Sequence, residues 1–227
     1  MKIFKIVIFL VIIAIIGSLP FLQVKTVLTD VQDASLKLFF DEQLLGKNWV
    51  LTSLSKFESL AKEHHLIRSV TITRDGFLAL RVEGVIREAF AAVRSGGFYI
   101  MIDVEGTVLE LSESAKAPYA IEGFHVQSAK IGYPIVTDDL GLIEKAVQLV
   151  YLYQMHSTIT PDVHLIDNQL IQKIHDRLWV NFGIGYDILE QFNQSMAIYE
   201  DMTNKSSTTG IINVAIQGQT VIQSWKD

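Results

Sequence analysis

Between Ile6 and Leu22 the chain carries an apolar run interrupted only by Gly17, Ser18 and Pro20. With Ile3 and Phe4 ahead of it the run reaches about 20 residues, which at about 1.5 Å per helical residue just crosses a hydrocarbon core of about 30 Å. Only Lys2, Lys5 and the amino terminus precede it, all positive, whereas Lys25, Asp30, Asp33 and Lys37 follow it and cancel. That bias places the short tail in the cytoplasm and everything after Val24 outside. A cleaved signal peptide also has a basic start and an apolar centre. Here, however, the run is long, and Ile and Leu stand where cleavage needs Ala or Gly. The expectation is an uncleaved single-pass anchor over residues 1–24, with residues 25–227 folding outside the membrane.

The exterior part holds 17 of the 19 basic side chains against all 25 acidic ones, a net charge of −8. Such a surface argues against nucleic acid or an anionic lipid surface as the main partner. The chain has no cysteine. It therefore stands on packing rather than disulfides, and it has no thiol nucleophile or thiolate metal site.

Local patterns divide this exterior part in two. Lys25 to Val31 reads as a strand, and Leu36, Phe39, Phe40 and Leu44 share one face of a helix that Gly46 ends. A second helix starts near Ser55, where Ser55-x-x-Glu58 fits a capping box, and runs to about His64. Ile67–Thr73 and Phe77–Val85 form a hairpin. A three-residue loop, Arg74 to Gly76, keeps the apolar sets together by pairing Ile72 with Leu78 and Val70 with Leu80, with Gly76 left-handed. Strand, helix, helix, strand, strand makes a small α+β unit over residues 25–86.

From Arg87 the texture changes to short strands. Phe98–Asp103 and Thr107–Leu111 flank the turn signal Val104-Glu105-Gly106. Asp138 or Asp139 caps a helix to about Tyr153 with Leu140, Ile143, Val147 and Val150 on one face. Val163–Ile166 and Leu178–Phe182 read as strands. A helix from Asp187 to Met202 carries Leu189, Phe192, Met196 and Tyr199 at core spacing. Ile211–Ile216 and Thr220–Trp225 close the chain as strands.

Residues that carry chemistry are sparse. His64-His65 has no third ligand at a metal spacing. Asp162 and His164 share one side of a strand, yet no G-x-S-x-G or similar nucleophile accompanies them. The phosphate-cradling loop is missing, and Gly183-Ile184-Gly185 lacks the third glycine of a dinucleotide site. Five of the six arginines fall between Arg68 and Arg94, interleaved with acids as on a solvated sheet face. The residues support neither an enzyme nor a bound cofactor or metal.

Several segments in order resemble one family. Leu45-Gly46-Lys47-Asn48-Trp49 precedes a capped helix, and Leu66-Ile67-Arg68-Ser69-Val70-Thr71-Ile72-Thr73-Arg74 follows it. Tyr99 to Val108 then matches a hairpin of the type "iD~~G~v", followed by Pro118 and Gly123. This succession resembles the FtsQ/DivIB family of bacterial cell-division proteins, whose first exterior module is a POTRA (polypeptide-transport-associated) domain. The resemblance implies an α+β chain: an N-terminal transmembrane helix, a POTRA-type β-α-α-β-β domain over 25–86, and a mixed β-sheet domain with helices packed on it over 87–227.

It also implies a non-enzymatic divisome scaffold, single-pass in the cell membrane and enriched at the septum. Its partners would be FtsL-like and FtsB/DivIC-like membrane proteins, with other divisome proteins as further candidates. In that family the C-terminal sheet takes up a partner strand, which an unpaired strand edge explains. The candidate edge is Ile211–Ile216 or Thr220–Trp225, giving Ile211, Ile212, Asn213, Val214, Ile216 and Trp225 as candidate partner-binding residues. Trp225 is either an aromatic anchor or a cover for the core end. The alternatives are a POTRA-containing chaperone-like module in envelope protein export or assembly, and a membrane-tethered cell-wall hydrolase.

Overall fold

The computed structural model describes residue 6 and residues 20–139, 141–205, 209–216 and 219–223. The chain divides into two compact units, the first ending at Arg87 and the second beginning at Glu88.

The expected fold class is corrected at its start. Among the described residues no helix is long and apolar enough to cross a membrane. Of the span assigned to residues 1–24, residues 1–5 and 7–19 lie outside the described residues. Its described end is a 3₁₀ turn, Pro20–Leu22, followed by Val24 buried in the first unit. Val24 is drawn in because its N–H donates to the Lys47 carbonyl and its own carbonyl accepts from Gly46 N–H. What is described is a mixed α/β structure, mostly strands, with four α-helices.

The first unit runs β1 (Thr26–Thr29), α1 (Ala34–Leu44), α2 (Leu54–Lys62), β2 (Ile67–Arg74) and β3 (Ala79–Ile86). The sheet order is β1-β3-β2, with β1 parallel and β2 antiparallel to the central strand. Asp33 starts α1 by accepting from the N–H groups of Ser35 and Leu36, as a capping carboxylate does. At the far end Gly46 takes φ +75°, the left-handed turn that sends the chain back to pair with Val24.

The capping box does not form. Ser53 is the N-cap of α2 and makes no side-chain cap bond. Glu58 instead accepts from the Ile72 N–H at 2.7 Å, tying the helix to β2. The hairpin register also differs: Ile72 pairs with Val82 and Arg74 with Leu80. The slip is an even number of residues, so Val70, Ile72, Leu80 and Val82 still share the buried face. The longer loop lets Ala79–Val82 align with Thr26–Thr29 in the parallel pair. Leu78 turns under the loop at φ 62° and is buried, a conformation that costs a non-glycine residue about 1–2 kcal/mol.

The second unit is built on one nine-stranded sheet, β14-β13-β12-β11-β10-β7-β4-β5-β6. Its strands are β4 (Ala91–Ser95), β5 (Phe98–Ile102), β6 (Val108–Ser112), β7 (Tyr119–Glu122), β10 (Asp162–Ile166), β11 (Gln169–His175), β12 (Leu178–Gly183), β13 (Gly210–Ile216) and β14 (Gln219–Gln223). A separate short ribbon joins β8 (Val126–Ser128) and β9 (Val136–Thr137). In the β5–β6 turn Asp103 accepts from Glu105 and Thr107 N–H while Gly106 sits at φ +77°.

Two helices, α3 (Leu142–His156) and α4 (Ile188–Asn204), cover one face of the sheet. Residues pointing to that face, such as Leu178, Val180, Phe182, Ile212 and Val214, are fully buried. Helix α3 starts at left-handed Gly141 rather than at an Asp cap. The buried stripe of α4 is Ile188, Gln191, Phe192, Ser195 and Met202, rotated from the expected one so that Leu189 faces outward.

Candidate partner-binding edge

The six residues singled out in the sequence fall in three different settings. Ile211, Ile212, Asn213, Val214 and Ile216 lie on β13, which pairs with β12 on one side and β14 on the other. Strand β13 is therefore not an edge: Gly210–Asn213 pair with β12, and Ile211–Asn213 and Ile216 pair with β14. Ile212 and Val214 are buried under the helices, and Ile216 is exposed where the β13–β14 turn begins. Trp225 lies outside the described residues. Among the described residues the edge on this side is β14, with Ile212 opposite Ile222 and Asn213 opposite Val221. Alternation puts Val221 on the face opposite the helices, where it is exposed.

The way β13 is held explains how this edge is presented. The parallel β12–β13 ladder registers Leu178 with Gly210 through Asn181 with Asn213 and then stops. At that level both asparagines turn their side chains onto their own strands: Asn181 Oδ1 accepts from Gly183 N–H and Asn213 Oδ1 from Ala215 N–H. Where this ladder ends, Gln191 of α4 bonds to both strands. Its Nε2 donates to the Phe182 carbonyl at 2.8 Å on β12 and to the Val214 carbonyl at 2.7 Å on β13. A side-chain amide is suited to this because one nitrogen offers two donors. Gly183 is required at this end of the ladder: it has φ +60°, and a Cβ there would lie 2.8 Å from the Ala215 Cβ.

Sequence reasoning missed Gln191, Asn181 and Val221. The available signal was a polar residue among apolar ones at helical spacing, since Gln191 stands three after Ile188 and four before Ser195.

The face of the sheet away from the helices carries an ionic row. Glu122 on β7 is the register partner of His164 on β10, and Arg94 on β4 follows Val93, the partner of Ile121. Arg94 Nη1 lies 3.4 Å from Glu122 Oε1, and His164 Nδ1 lies 3.7 Å from Glu122 Oε2. Asp162 and His164 do meet, at 2.8 Å. Farther along, Lys173 sits over the Trp179 ring at 5.5 Å. His64 and His65 stack on each other at 4.9 Å. Among the described residues no group of three or more acidic or histidine side chains is placed to hold a metal ion. Tyr153 is buried between α3 and α4, and desolvation pushes its hydroxyl well above the ordinary tyrosine range, partly offset by Ser195. It serves packing, edge-on to Phe192 at 5.0 Å.

No family model matches the chain, and no curated protein matches it in sequence.

Proposed function

We propose that the chain is a non-enzymatic scaffold of bacterial cell division, acting on the outer side of the cell membrane at the septum. It would bind FtsL-like and FtsB/DivIC-like proteins and support septal cell-wall formation. The observation that carries this reading is the C-terminal edge. Strand β14 ends a nine-stranded sheet with a neighbour on one side only among the described residues, and an extended partner segment can add to such a row of backbone groups. The β-α-α-β-β order of the first unit, with its hairpin and terminal glycine, supports the resemblance on which the partners rest.

The test is co-purification of the full chain with a DivIC-like partner, with and without Val221→Lys. A lysine on an edge strand opposes strand addition, and Val221 is exposed, so the fold is expected to stand. Loss of the partner by at least about tenfold, a change of about 1.4 kcal/mol, is expected. Unchanged co-purification refutes the edge assignment. An amino-terminal fluorescent fusion spread evenly over the envelope, rather than banded at mid-cell, refutes the septal role.

A further inference from the structure

At one end of the first unit three separate segments bring apolar side chains to the surface together. The Leu22 carbonyl accepts from Trp49 N–H at 2.7 Å, and Gln23 bridges to Asn48, so the chain enters the unit beside the loop that follows α1. Asn48 Oδ1 turns that loop by accepting from Val50 and Leu51 N–H. The β2–β3 loop joins from the other side. Phe77 packs edge-on to Trp49 at 5.9 Å, and Arg74 lies over the same indole while donating to the carbonyls of Trp49, Val50 and Thr52.

This network fixes the backbone while leaving its apolar side chains in the open. Phe77 is 71% exposed, Phe21 57%, Leu51 50% and Val50 46%. The same loop holds Leu78 at φ 62°, so a strained turn buries one large residue and projects its neighbour, Phe77, outward. The Leu78 carbonyl accepts from Lys25 N–H at 2.9 Å, one of the contacts that hold this strained turn in place. Lys25, Lys47 and Arg74 are exposed at its rim, and Asp75 is held by Arg81 at 2.9 Å.

We propose that this end of the unit rests in the headgroup zone of a lipid bilayer. The occupant follows from where the chain enters: the residue before the bonded Leu22 is Phe21, and the sequence before Phe21 is apolar back to Ile6 apart from Gly17, Ser18 and Pro20. An apolar sequence and an apolar surface thus meet at one place. The composition fits that zone. Trp and Phe settle at membrane interfaces, and lysine and arginine stems reach along apolar surface with their charges among headgroups. The net negative charge of the exterior part does not oppose this, because the contact is local and its rim is basic. The proposal does not rest on the septal role.

The natural lack of cysteine allows a clean test. Full-length Leu51→Cys, Phe77→Cys and Lys62→Cys variants are each reconstituted in vesicles of phosphatidylcholine with a minority of phosphatidylglycerol. Each is then reacted with a membrane-impermeant maleimide and normalised to its rate in denaturant. Lys62 is the control: it ends α2 ahead of the start of β2, whereas the patch sits at the far end of that strand. Labelling at positions 51 and 77 is expected to be slower than at 62 by about tenfold or more. Equal rates at all three positions overturn the proposal. So does protection that arises only after a second protein is added, which would assign the patch to a protein partner.

Discussion

Removing the Gln191 amide tests whether the C-terminal hairpin is secured by a helix side chain rather than by its own ladder. The informative change is Gln191→Met, which keeps length and volume and removes both donors. In the folded chain, where Gln191 is fully buried, it takes the 2.7 Å donor from the Val214 carbonyl and the 2.8 Å donor from the Phe182 carbonyl, which keeps the Gly185 N–H at 3.1 Å. Loss of the donor at Val214 costs about 1–3 kcal/mol, and loss of one of two donors at Phe182 about 0.5–1.5, so together about 1.5–4.5. Against this, Gln191 Oε1 has no partner among the described residues. Replacing the amide relieves that deficit, by a similar 1–3 kcal/mol for one group. The net expectation is a loss of about 1 kcal/mol. Gln191→Glu should cost more, because a carboxylate offers no donor and would aim its charge at two carbonyl oxygens in the core. Urea unfolding followed by fluorescence gives the stabilities. Hydrogen exchange shows where the loss falls, with β13 and β14 expected to open before β10 and β11. If Gln191→Met is as stable as the parent and the terminal hairpin is equally protected, the amide does not hold the two strands together.

Other outcomes follow from the same structure. Gly123 ends β7 at φ +86°, and a Cβ there would lie 2.1 Å from the Leu165 carbonyl oxygen on β10. Gly123→Ala should therefore destabilise the second unit by about 3 kcal/mol or more in a thermal melt. Near-parental stability would mean that β7 and β10 separate freely. His64 is lowered from its ordinary 6.5, chiefly by burial and then by the neighbouring His65 charge. Because the unfolded chain then binds the proton more readily, stability of the first unit is greatest above pH 6.5. It should fall as the pH drops through the folded value and level off below it. His64→Gln should flatten that fall, and an unaltered pH profile would place the titration elsewhere.

The first unit was largely legible because its signals are local. The spacing of Leu36, Phe40 and Leu44, the glycine after α1 and the alternation around Val70 and Ile72 each depend on a few neighbouring residues. What sequence could not resolve there was settled at longer range. The β2–β3 register is fixed by the parallel partner β1, about fifty residues earlier, which needs Ala79 beside Thr26. Glu58 satisfies the local capping pattern and yet serves Ile72 fourteen residues on, since a strand N–H competes for the same carboxylate.

The site was harder to read for a related reason: pairing order in a sheet is a property of the whole unit. Alternation assigned both closing segments as strands but could not tell which would be outermost. Ile211 to Ile216 is as apolar as an edge that docks a partner, and also as apolar as a strand buried on one face and paired on both sides. The structure decides for the second, because β12 claims β13 in parallel. Parallel pairing in turn requires the crossover through α4, and that crossover carries Gln191 to the one place where the ladder fails. The residue that looks least suited to the apolar stripe of α4 is thus the one that fastens β13. Partner addition at β14 should then depend on Gln191 although it touches no partner: Gln191→Met is expected to weaken co-purification in step with the opening of β13, while Val221→Lys weakens it with the hairpin closed. Loss of binding in Val221→Lys alone would show that the hairpin's attachment and its edge act independently.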